Sequence, residues 1–532
     1  MISSLRAPPK RLPTPRARIR MAVGPTVPTS STLRDRTPGG SPRIVLAVAL
    51  LVGPVLGAGA GPLGPAAELS AQVIPPPLAA GEASAPSPPP ALDPEILEMV
   101  GGVSPDRLEG DIRTLAGFGT RNTLSDTLSD ERGIGAARRW IKAELDRISE
   151  ACGGCLEVSY QRSLVEGDPD GRIQEDTWVV NVVAVLRGTR YPDRYVIMTG
   201  DIDSRASDGT DGEVDAPGAN DNATGMAGAI EAARILSGYE FPTSVVLAGL
   251  SGEEQGLYGG AHMARVAREE GWEVVGVFNN DMIGNIEGID GVVDNTIFRV
   301  FSQPEPVPVD GEEALTASRF QRFYGGEVDG PSRQLARYVD RVTDLYIRNL
   351  DAMMIYRLDR FGRGGHHRPF NDAGFPGVRI MEAHEHYHRQ HQDVRTEDGI
   401  EYGDVIEGVD FDFTGKMTAV NVATLAALAS APPAPEDVRI GGAVSPHTTL
   451  AWTGSDDPDL AGYRIYWRTT TAPQWEHSVF VGGRGDGAVE VEEDTLSYTV
   501  ENVVIDNYLF GVAAVGLDGN ESPVVFPSGL LR

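Results

Sequence analysis

Cysteine is almost missing from this chain: there are two in 532 residues, Cys152 and Cys155, spaced C-G-G-C. A disulfide framework is thereby excluded, and a four-thiolate zinc site would need a second pair that is absent. The pair itself reads as a local disulfide in an exported protein. Positive charge is also scarce. Lys and Arg number 46 against 76 Asp and Glu, a formal net charge of −30. Such a chain repels nucleic acid and anionic membranes, so no nucleic-acid partner is expected. Histidine is rare as well, nine in all, yet six of the nine fall between His366 and His391.

Apolar runs long enough to stay in a membrane are lacking too. Residues 44–60 are apolar but broken by Gly53, Pro54 and Gly57, and they follow an Arg-rich, acid-poor leader. That layout predicts a signal peptide, cleaved after Ala58-Gly59-Ala60 or Leu69-Ser70-Ala71. The expected location is secreted or periplasmic, with no membrane contact after cleavage.

At this length two folded units plus tails are expected. Residues 1–71 form the leader and 72–93 a Pro/Ala linker that cannot bury a core. Between 94 and 431 the pattern alternates. After a helical stretch over 94–150 come strands at 178–186, 195–199, 244–250, 274–280 and 377–381. Helices are predicted over 225–236, 257–270, 332–350 and 414–431. Such alternation predicts a three-layer α/β/α domain with a mostly parallel sheet. Residues 286–330 interrupt it and read as a long insertion, expected to cover the active-site cleft. From 432 to 532 short runs such as T-T-L-A-W-T around Trp452 and N-Y-L-F-G-V-A-A-V from Asn507 predict a small all-β sandwich. No catalytic group is evident in it, and its expected role is spacing or docking.

The chemistry lies in four acidic motifs in order: G-D-I-D-S at 200–204, G-A-N-D-N-A-T-G at 218–225, S-G-E-E-Q-G at 251–256 and N-N-D-M-I-G at 279–284. Parallel sheets place ligands beyond the C-terminal ends of their strands, where these motifs fall. A single Asp there is often only a helix cap. Three on successive strand–helix units, closed by a late His, are what a two-metal hydrolytic site requires.

This order resembles the co-catalytic zinc aminopeptidase family, which extends to glutamate carboxypeptidases and, more distantly, glutaminyl cyclases. The resemblance spans roughly residues 94–430; the C-terminal segment resembles a fibronectin type III module. It implies two divalent ions, with Asp221 bridging them, Glu254 on one ion, Asp281 on the other and Glu253 as the general base. A late His completes the first ion. The family's Y-H-x-x-x-D is written here as H-E-H-Y-H-R-Q-H-Q-D, so His388 and His391 compete, and the loop opened by Q-H-Q-D favours His391. His367 matches a substrate-side position, while His366 stands where the family has Asp.

One residue departs from the pattern. The family has His where this chain has Asp201, with Asp203 as that ligand's orienting partner. Asp201, Asp221 and Asp281 would form an all-oxygen shell, which shifts one site from zinc towards manganese. The expected activity is hydrolysis of peptide or amino-acyl substrates by an exopeptidase, an aminopeptidase first. A glutaminyl cyclase-like transferase with one zinc and a weakened peptide-binding homologue are the alternatives.

Overall fold

The computed structural model describes residues 88–304 and 311–531; the expected leader, cleavage sites and most of the linker lie outside them. Three helices open the fold: α1 (Pro94–Gly101), α2 (Pro105–Gly117) and α3 (Gly133–Ala151). Asp93 and Ser104 cap the first two, their side chains accepting from Glu95 N and Arg107 N, and each is followed by a proline pre-set for a helical start. Cys152 and Cys155 form a disulfide just after α3.

Eight strands build the main sheet: β1 (Leu156–Val165), β2 (Thr177–Leu186), β3 (Tyr191–Asp201), β4 (Thr243–Leu250), β5 (Glu273–Asn280), β6 (Ile297–Ser302), β7 (Asp351–Ile355) and β8 (Gly377–Glu382). Their order is β1-β2-β4-β3-β5-β8-β6-β7. The central four, β4-β3-β5-β8, are parallel; β1, β2 and β6 add antiparallel pairings at the flanks. The central strands are buried on both faces, as helix-covered parallel strands must be.

The remaining helices are α4 (Gly225–Leu236), the single turn α5 (Glu253–Gly256), α6 (Tyr258–Glu269), α7 (Gly311–Tyr324), α8 (Pro331–Tyr346), α9 (His367–Asp372) and α10 (Phe411–Ser430). Alternate strand residues serve opposite cores. Val182, Val196, Met198 and Leu247 pack with α2, α3, α4 and α10, while Val183, Ile197, Val246 and Ala248 pack with α6 and Phe370 of α9. The predicted three layers follow from that period of two.

The 286–330 segment is not a free insertion. Its β6 lies antiparallel to β8 inside the sheet and parallel to β7. Strand periodicity there was obscured by the Gly, Asp and Pro around it.

A small hairpin, β9 (Arg395–Glu397) and β10 (Ile400–Tyr402), precedes α10. Beyond it come β11 (Glu436–Gly441), β12 (Thr448–Thr453), β13 (Leu460–Thr469), β14 (His477–Gly482), β15 (Glu490–Glu492), β16 (Thr495–Val500), β17 (Tyr508–Gly516) and β18 (Gly529–Leu530). They form a five-stranded and a three-stranded sheet that share one core around Trp452, Tyr463, Ile465 and Phe510. This sandwich is joined to the α/β domain by buried charge. Asp329 accepts from Arg337 of α8 and from Arg468 of β13, all three shielded from water. Arg341 pairs with Glu521, and Arg190 and Tyr191 both bond Asp457.

Candidate metal centre

The ends of β3, β4 and β5 converge with the turn before α4. Gly200 and Gly225 make this possible: a β-carbon on Gly200 would lie 2.5 Å from Gly225 C, and one on Gly225 2.3 Å from Asn280 O. The turn carrying Asp221 is thereby drawn down onto the strand ends. Asp404 holds it there, its two carboxylate oxygens accepting from Asn220 N at 2.8 Å and Asp221 N at 2.6 Å. Below it the buried Glu382 carboxylate accepts from Asn220 Nδ2 and Asn285 N. Nothing in the sequence pattern singled out Asp404 or Glu382; both come from outside the acidic motifs.

His391 Nε2 lies 3.0 Å from Asp221 Oδ2 and 3.1 Å from Glu254 Oε1. One ligating atom from each of these residues falls within 4.8 Å of the others. Two carboxylate oxygens and one imidazole nitrogen facing a common point, with an open side towards the cavity, suit zinc. His391 reaches this place from a backbone at φ +52°. His388 does not come near: its ring packs 4.8 Å from Tyr402 and 5.5 Å from His386.

Electrostatics match the geometry. Burial would raise Asp221, but the His391 bond and the charges of His391, Arg363 and Arg360 hold it below the usual carboxylate range. Burial would depress His391, but Glu254 and Asp221 raise it to about 9. Glu253 sits one residue before Glu254 on the cavity wall. Burial first, then the charges of Glu254, Asp281, Asp201 and Asp221, push its carboxyl well above the ordinary range.

Asp203 has a different task from the expected one. Its carboxylate accepts from Glu253 N at 3.2 Å, Glu254 N at 3.0 Å and Thr123 Oγ1 at 3.2 Å. It therefore fixes the turn that presents both glutamates.

The residues expected around a second ion are engaged otherwise. Asp201 Oδ1 lies 2.6 Å from His366 Nδ1, and its Oδ2 accepts from Asn222 Nδ2 at 2.9 Å. Asp281 Oδ2 lies 2.7 Å from a guanidinium nitrogen of Arg379, which is fully buried and also donates to Asp359 and to Gly364 O. A buried guanidinium thus lies against one Asp281 oxygen, while Asp281 Oδ1 and His366 Nε2 are buried without a partner. Burial raises Asp201 to about 7 and Asp281 to about 8, Arg379 opposing the rise in both. His367 is not at the cluster; its Nε2 bonds Leu358 O at 2.8 Å inside the protein.

The cavity above the cluster is about 450 Å³ and carries five arginines on its walls, Arg172, Arg205, Arg360, Arg363 and Arg368. The same walls carry the carboxylates of Asp221, Glu253, Glu254 and Asp281. Arg360 and Arg363 are tied to Glu385.

Known proteins share the sequence that carries these motifs. The model of peptidase family M28 matches residues 181–297, which hold every acid of the four motifs. A protein of Pyrenophora tritici-repentis described as a "Probable zinc metalloprotease" is 40% identical over 453 residues, covering 85% of this chain and 90% of its own. One from Leptosphaeria maculans with the same description is 41% identical over 439 residues, covering 82% and 98%. Among solved structures, the Legionella pneumophila LapA aminopeptidase aligns with a TM-score of 0.45 at 18% identity, covering 65% of this chain and 77% of that one. A Macrostomum lignano glutaminyl cyclase aligns with 0.43 at 15%, covering 64% and 94%. The two fungal relatives span most of the chain at well above 30% identity, so the protein belongs to peptidase family M28.

Proposed function

We propose that this chain is an exported zinc exopeptidase whose metal is held by Asp221, Glu254 and His391. The observation that carries the reading is the convergence of those three side chains beside Glu253 at the floor of an open cavity. Zinc held there would supply a Lewis acid for the scissile carbonyl and would make water more acidic. Glu253 takes the proton of the attacking water and returns it to the leaving nitrogen. Asp203 keeps Glu253 and Glu254 in register through their backbone N–H groups. Arg379 balances Asp281 with a permanent charge, which favours one ion over the two that the family resemblance implies. Export is supported by the leader's layout and the Cys152–Cys155 disulfide.

The acidic cluster suits a substrate's free amine and an aminopeptidase. A second reading is favoured by the arginine-lined walls, which suit a substrate carboxylate and so cleavage from the C-terminal end. A panel of amino-acyl amides against amino-blocked peptides with free carboxylates separates the two. The deciding experiment joins elemental analysis to that panel. One zinc per chain, with turnover lost in Glu253→Gln and metal retained, is the expected result. Glutamine cyclisation without hydrolysis would make the chain a cyclase. Peptide binding that Glu253→Gln leaves unchanged, without turnover, would make it a binding protein.

A further inference from the structure

A second cavity, of about 820 Å³, opens between α3, β1 and β2 and shares no wall residue with the catalytic one. Arg138 of α3 lies in its wall and is only 6% exposed. Its Nε and one terminal nitrogen meet no acceptor. Its neighbour Arg139, by contrast, pairs with Asp130 and donates to Thr127 O. Buried Arg121 likewise has the carbonyls of Leu115, Ile202, Pro217 and Gly218. Asp203 lends Arg138 charge through space, but its oxygens are taken by Thr123, Glu253 and Glu254. A buried guanidinium left without an acceptor is costly, and an anion against the part of Arg138 that lines the cavity would offset that cost through charge.

The rest of the wall limits which anion. Trp178, 57% exposed, and Tyr160 offer aromatic surface. Arg139 on this wall is paired with Asp130 and Arg162 lies over the Tyr160 ring, while Glu175 and Asp176 stand beside them and would accept an ammonium group. One deep guanidinium, an aromatic wall and carboxylates match a zwitterion with an apolar side chain. We propose that this cavity binds a free amino acid or short peptide, its carboxylate on Arg138 and its side chain on Trp178. The site stands apart from the metal reading, but it is wired to it. Thr123 lines this cavity and donates to Asp203, which holds Glu253 and Glu254. Chain segment 172–176 supplies Arg172 to one cavity and Gln174 and Glu175 to the other.

Calorimetric titration of the full zinc-loaded chain with L-phenylalanine, 3-phenylpropionate and inorganic phosphate tests this. One L-phenylalanine per chain is expected, weakened at least tenfold in Arg138→Met and in Trp178→Ala and retained in Glu254→Gln. Arg138→Met should not lower Tm, since it removes an unpartnered buried charge. The surface change Trp178→Ala keeps the test open should Arg138→Met fail to fold. Binding lost in Glu254→Gln but kept in both cavity variants would place the ligand in the catalytic cavity and overturn the proposal. So would phosphate displacing L-phenylalanine, or no saturable binding of either organic probe.

Discussion

His366 Nδ1 lies 2.6 Å from Asp201 Oδ1, with both side chains shielded from water. The family resemblance implies His in place of Asp201 and Asp in place of His366, so the two departures from the pattern touch each other. Asp201 therefore faces an imidazole, and the two departures seen in the sequence meet in one contact.

This contact is testable by a double-mutant cycle. His366→Ala leaves the buried Asp201 carboxyl without its ring and should cost about 3 kcal/mol. The double change Asp201→His with His366→Asp should recover at least half of that loss in thermal unfolding. Strictly additive destabilisation would show that the two do not act as a pair.

Asp203 touches neither the ligating atoms nor the cavity, yet three donors converge on it. In Asp203→Ala the Glu253–Glu254 turn loses its anchor, and zinc affinity should fall about 10- to 100-fold. Competition with a chromophoric chelator measures this; unchanged affinity would assign Asp203 to fold stability alone.

His391 predicts how pH and metal compete. Its folded value is about 9 against an ordinary 6.5. In the metal-free protein its pairing with Asp221 and Glu254 stabilises fully below about pH 6.5, and that contribution is lost as pH rises through 9. Zinc requires the neutral ring, so binding at pH 7.5 should release a proton. Calorimetry in two buffers of different ionisation enthalpy reads that release directly.

The sandwich is held to the α/β domain by a charge cluster rather than by a tether. Asp329→Ala would strand the buried guanidinium groups of Arg337 and Arg468 and should cost about 3–5 kcal/mol. A single calorimetric transition in the native protein, lowered as one, is the expected outcome. Two resolved transitions in the native chain would mean the domains unfold independently.

Much of this was legible in the sequence because the information is local. The acids lie in short motifs at the ends of apolar runs, so strand ends at Asp201, Glu253 and Asp281 could be read without knowing their neighbours. The helical stretch over 94–150 and α4 follow from apolar spacing within a few residues. What sequence could not supply depends on contacts between distant residues. His391 rather than His388 meets Asp221, 170 positions earlier, because the loop turns at a left-handed residue. β6 is a sheet strand because β7 and β8 offer it partners. Arg379 looked like one residue of a buried strand, and only the sheet's register sets it against Asp281. The sequence by itself determined the chemistry available, a set of carboxylates and a late imidazole. Tertiary structure decided which of them face one another, because pairing buried charges depends on distances of a few ångströms that chain order does not encode.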